Sequence, residues 1–85
     1  MNEVQRYEKA SNAATTDRSS LIEERESLMR LRSEIGVEYY LGEGHTQNEI
    51  VELNAKIDRL TGLIAVASAA ETRLVMMVAN AKRYT

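Results

Sequence analysis

Apolar residues return along this chain at steps of three and four, the spacing of one helical face, and the pattern is interrupted near its middle. In the second half, Ile50, Leu53, Ile57, Leu60, Ile64, Ala67, Glu71, Leu74, Val78 and Ala81 alternate those steps. They form a coiled-coil-like seam with Glu71 as its only charged member. In the first half, Val4, Tyr7, Ala10, Ala14, Leu21, Ile22, Leu28, Met29, Ile35 and Tyr39 share one side of a helix turned at about 100° per residue. Ser11 to Ser20 is poor in helix formers, and Ser20-Leu21-Ile22-Glu23 reads as a capping box that would restart a helix. Against a break, Tyr7, Ala14, Leu21, Leu28 and Ile35 keep a seven-residue spacing straight across it, a register that a loop would lose. One long first helix is expected, with residues 15 to 20 the place for any bend.

The interruption is Leu41-Gly42-Glu43-Gly44-His45-Thr46-Gln47-Asn48-Glu49. Gly42 stands where a helix ends on a left-handed residue, a conformation only glycine adopts cheaply. Thr46 and Glu49 have the spacing of a capping box. The threonine hydroxyl would accept from the Glu49 amide, and the Glu49 carboxylate would reach back to the Thr46 amide. The expected fold is therefore all-α: a two-helix antiparallel hairpin over residues 1–85, with helices at about 3–41 and 47–83 and a turn at 42–46. Each arm is about 55 Å long. Gly42, Thr46 and Glu49 fix the hairpin register.

The arms do not match in character. Folding at the turn sets Ile35 by Leu53, Leu28 by Leu60, Leu21 by Ala67 and Ala14 by Leu74. From Leu63 onward, Leu63, Ala65, Val66, Ala69, Ala70, Val75, Met76, Met77 and Ala79 add apolar surface away from the seam. A single stripe on the first arm cannot cover it. The hairpin is thus expected to be completed by oligomerisation or by a partner, through Tyr40, Leu63, Val66, Ala70, Leu74, Met76 and Met77. Within that set, Tyr40 and Met77 are expected to point away from the seam; the plainer alternative for Met76 is that it fills a gap in the core.

Residues 62 to 81 are long and apolar enough to suggest a membrane span, but Glu71 and Arg73 fall in the middle, where each would cost about 3 kcal/mol in a bilayer. A helix–helix surface is the expected role, and no membrane span. No apolar run follows a basic N-terminal start, so no signal peptide is expected and the cytoplasm is the default compartment.

Arg18, Arg25 and Arg32 recur every seven residues beside the first stripe. Such a ladder can track phosphates, and an RNA- or DNA-binding hairpin dimer is the alternative function. Glu23, Glu24, Glu26 and Glu34 surround it, and the net charge is −2. The arginines are therefore expected to lay their stems along the seam and meet carboxylates, with Arg18 on Glu71 setting the register. Nucleic acid is not the expected partner.

Candidate chemistry adds little. The chain has no Cys, Pro, Trp or Phe, and one His, so thiolate sites and disulfides are excluded. His45 is expected to be a solvated loop residue. With no Ser-His-acid pattern, phosphate loop or ligand cluster, neither an enzyme nor a metal or other cofactor is expected. In size and layout, Leu28 to Leu41, Gly42-Glu43-Gly44 and Leu53 to Ala70 resemble the small hairpin co-chaperones of type III secretion needle subunits. That resemblance implies two antiparallel helices around a glycine turn and a chaperone-like role. The long N-terminal arm and Val75-Met76-Met77-Val78 depart from that group. The function expected is a small non-catalytic protein–protein interaction module (adaptor, co-chaperone or inhibitor) docking through the apolar half of the second helix. A structural subunit of a larger assembly, such as a secretion system or virion, is the other alternative.

Overall fold

The computed structural model describes residues 2–84 and consists of two helices, α1 (Glu3–Tyr40) and α2 (Gln47–Arg83), packed along their lengths as an antiparallel hairpin. Both helices start from side-chain caps. The Asn2 side chain accepts from the Gln5 amide at 2.9 Å, and the Gln5 side chain accepts from the Asn2 amide at 3.4 Å, closing a capping box. α1 then runs unbroken through Ser11 to Ser20, and the Ser20 restart signal is not used. Within that polar stretch the Thr15 hydroxyl donates to the Ser11 carbonyl at 3.1 Å, a bond compatible with the helix rather than one that ends it.

α1 ends in a Schellman motif. The Gly42 amide donates to the Tyr39 carbonyl at 3.1 Å and the Glu43 amide to the Glu38 carbonyl at 2.9 Å, with Gly42 left-handed at φ +78°. Gly44 is left-handed as well, at φ +88°, and the two glycines together reverse the chain. Thr46 caps α2 by accepting from the Glu49 amide at 3.3 Å. The second half of the expected capping box does not form, because the Glu49 carboxylate is taken by His45 at 2.8 Å.

The result is a rod of 64 × 16 × 14 Å. Its core is thin. Leu53, Ile57, Leu60 and Ile64 are the buried hydrophobic residues, all on α2 and all in the half nearer the turn. Further along the seam, Ala67, Glu71, Leu74, Val78 and Ala81 are only half-buried.

The partly covered face of α1 explains this. Val4, Tyr7, Ser11, Ala14, Arg18, Leu21, Arg25, Leu28, Arg32, Ile35 and Tyr39 are the half-buried residues at alternating steps of three and four. The arginine ladder therefore occupies one of the two seam positions in α1, rather than flanking the stripe. Of the residues expected on the apolar side, Ala10 and Met29 are exposed. A contact face with a polar residue at every second position cannot bury its partner helix as a leucine-rich one does.

Candidate functional site

Three cross-links tie the α1 arginines to α2. Arg18 Nε donates to the Glu71 carboxylate at 3.2 Å, Arg25 Nη1 to the Thr61 hydroxyl at 3.4 Å, and Arg32 Nη1 to the Asn54 side-chain oxygen at 3.0 Å. The expected pairing of Arg18 with Glu71 is present, and Thr15 joins it, its hydroxyl donating to the same carboxylate oxygen at 2.6 Å. These contacts hold the Glu71 carboxyl below its ordinary range, the Thr15 hydrogen bond contributing most and Arg18 next, against the opposing effect of desolvation. Arg25 and Arg32 meet neutral oxygens rather than carboxylates, and Arg25 Nε is buried with no hydrogen-bond partner. The ladder faces its own partner helix. It is not laid out along an open face, as a backbone-tracking phosphate site would require.

At the turn, His45 sits between two acids on different helices. One ring nitrogen meets the carboxylate of Glu38 in the last turn of α1, and Nδ1 meets Glu49 in the first turn of α2 at 2.8 Å. The side chain is 25% exposed, so the expectation of a solvated loop histidine is corrected. Glu38 lies unfavourably at the negative end of α1, and a protonated imidazole offsets that charge. Both hydrogen bonds raise the His45 pKa above 6.5, the one to Glu49 contributing most. No group of three or more His, Cys, Asp or Glu among the described residues is placed to hold a metal ion.

The apolar positions expected to meet a partner are not gathered into one pocket. Tyr40 is 87% exposed and stacks edge-on against Tyr39, with ring centroids 5.1 Å apart. It stands at the turn, far along the rod from the rest. Leu74 lies on the seam and is half-buried. Leu63 (44% exposed), Val66 (68%) and Met76 (61%) face outward, with Ala70 half-buried beside them. Met76 is turned to solvent, whereas Met77 is half-buried and lines a shallow crevice with Glu3, Tyr7, Ala81 and Tyr84. Met76 stands two residues before the seam residue Val78, which turns it some 200° away from the contact. A second shallow depression, lined by Ala69, Thr72, Arg73, Met76, Met77 and Asn80, lies wholly on α2. By length and composition α2 is also apolar enough to cross a membrane, and only 6% of its most apolar window is buried against α1.

Sequence reasoning missed His45, Thr15, Thr61 and Asn54. Asn54 and Thr61 are themselves seven residues apart, and that matching period on α2 is the signal that could have turned the arginines inward. Comparison with known proteins finds no matching family model, no matching curated protein and no matching solved structure. The likeness to needle-subunit co-chaperones therefore rests on layout alone.

Proposed function

We propose that this chain is a non-catalytic protein–protein interaction module that docks through the outward apolar face of the distal half of α2. The observation that carries this reading is the exposure of Leu63, Val66 and Met76, which are 44%, 68% and 61% open to solvent on one side of a helix whose partner covers only its seam. Soluble proteins rarely leave so continuous an apolar face uncovered unless something binds it. The inward arginines support the same reading, since they leave no open basic track for nucleic acid.

The test is far-UV circular dichroism across a dilution series, with sedimentation velocity at each concentration. Helix content that falls as the chain is diluted, or that rises when a partner is added, supports docking coupled to folding. A chain that stays fully helical and monomeric at low micromolar concentration would sink the proposal. Association should survive added salt, because apolar contact is not screened, whereas phosphate binding weakens steeply.

A further inference from the structure

His45 closes the turn in a way that needs one proton more than its neutral ring carries. Its Nδ1 meets the Glu49 carboxylate at 2.8 Å, and its Nε2 meets the Glu38 carboxylate. Ionised carboxylates only accept hydrogen bonds, whereas a neutral imidazole has one N–H donor and one bare lone pair. Both contacts therefore hold together only while the cluster keeps an added proton. When that proton leaves, a bare nitrogen faces a carboxylate oxygen, and one of the two acids must let go.

The acids differ in what else they can bind. Glu49 stands three residues after Thr46, the N-cap of α2, whose side chain already accepts from the Glu49 amide at 3.3 Å. The reciprocal half of that capping box, from the Thr46 amide to the Glu49 carboxylate, stays open while His45 holds the carboxylate. Rotation of the Glu49 side chain closes it, and the charge stays at the positive end of α2 in either position. Glu38 has no such second donor. It lies in the last turn of α1, where the helix end presents carbonyl oxygens. The one N–H of a neutral ring is therefore worth more to Glu38 than to Glu49.

The charged side chains that act on the ring are Glu38 from α1 and Glu49 from α2, and Glu43 is the other titratable residue of the turn. All three are acids. The hydrogen bonds to Glu49 and Glu38, in that order, hold the ring's pKa above 6.5, so the proton leaves only above that value.

We propose that the turn is a proton-operated exchange, in which Glu49 passes from His45 to the Thr46 amide when the histidine loses its proton. With the proton on, Glu38, His45 and Glu49 tie the end of α1 to the start of α2. With the proton off, Nε2–H keeps Glu38, Nδ1 is bare, and α2 closes its own capping box. The tie across the turn is lost and a cap within α2 replaces it. This exchange does not depend on what covers the outward face of α2.

Nitrogen-15 NMR of the full chain, titrated from below 6.5 to well above it, reads both partners. At the acid end both ring nitrogens of His45 should carry protons. Through the transition Nδ1 should lose its proton while Nε2 keeps it, and the Thr46 amide proton should move downfield with the same midpoint. Thr46 adjoins His45, so two variants separate a new hydrogen bond from a neighbouring charge. In Glu49→Ala, His45 should still titrate, at a lower pH, while the downfield movement of the Thr46 amide is lost. Glu49→Gln, whose neutral side chain can cap α2 at any pH, should hold that amide downfield throughout. A neutral ring that keeps its proton on Nδ1 shows Glu38 to be the acid released, and overturns the exchange. A Thr46 amide that stays still in the unmodified chain, or that moves alike in both variants, overturns it as well.

Discussion

Arg25 is the position where the two-helix contact is most improvable, and replacing it with leucine should stabilise the protein. Its Nε–H is buried and unpartnered, a state that costs about 1–3 kcal/mol. What the substitution removes is weak, since the bond from Nη1 to Thr61 is 3.4 Å long and worth at most about 0.5 kcal/mol. Nothing is orphaned in exchange, because the Thr61 hydroxyl also donates to the Ile57 carbonyl at 3.0 Å. Leucine extends the apolar row of Leu21 and Leu28 at a half-buried position. The net gain should be about 1–2 kcal/mol, which raises Tm by about 5–15 °C in a chain of this size. Thermal unfolding followed at 222 nm, at matched concentrations with the mass checked by sedimentation, measures it. A lower Tm for Arg25→Leu at constant oligomeric state would refute the reasoning. It would mean that the guanidinium is satisfied in solution and that the polar layer contributes stability. Arg18→Leu is the internal contrast, because it strips Glu71 of its cation and should not stabilise.

Leu60→Ala removes one of the buried side chains of the seam, at 5% exposure. It should cost about 2–4 kcal/mol by chemical denaturation, the lower part of the cavity range because a two-helix contact can relax. Gly42→Ala forces a Cβ onto a residue at φ +78° and should cost about 1 kcal/mol, although the space around it is open. The pH dependence follows from His45. Its folded pKa is raised, so the stabilisation is fully present below 6.5 and is lost as pH rises through the raised value. Tm should therefore fall as pH rises above 6.5 through that raised value, and His45→Gln should flatten that limb; an unchanged limb in the variant would show that the turn clasp does not form.

Much of the hairpin was legible because its signals are local. Gly42 and the Thr46 hydroxyl act within one turn of the helix ends they cap, and the α2 seam is apolar enough to declare its own phase. The face of α1 was harder to read, for a definite reason. At about 100° per residue a broad arc gathers Ile22, Met29 and Ala10 with the leucines. Two supercoiled helices select a narrower row of about 3.5 residues per turn. On α1 that row takes in Arg18, Arg25 and Arg32 and leaves Met29 at 42% exposure. His45 escaped notice because its partners, Glu38 and Glu49, come from different helices and meet only once the turn has closed. Met77, expected to point away from the seam, is half-buried because it directly precedes the seam residue Val78, a rotation of only about 100°.

The arginines in the seam connect the architecture to the proposed role. Had α1 carried leucine at positions 18, 25 and 32, its contact with α2 would have been apolar throughout. The hairpin could then have stood alone, with the outward face of α2 a mere surplus. The buried core stops at Ile64, where the α1 seam passes from Leu21, Leu28 and Ile35 to the smaller Ala14 and Ser11. Beyond it the arms are joined by half-buried residues such as Leu74, Val78, Val4 and Tyr7, by the Thr15–Glu71–Arg18 cluster and by the Glu8–Lys82 ion pair at 3.1 Å. Exposed pairs of that kind contribute little. The distal half therefore holds its helices together most weakly where its uncovered apolar surface is greatest. On the docking proposed above, covering the Leu63–Met77 face and ordering the distal arms would be a single step. In such a chain, binding should show the large negative heat-capacity change of coupled folding, not the smaller one of two preformed surfaces meeting.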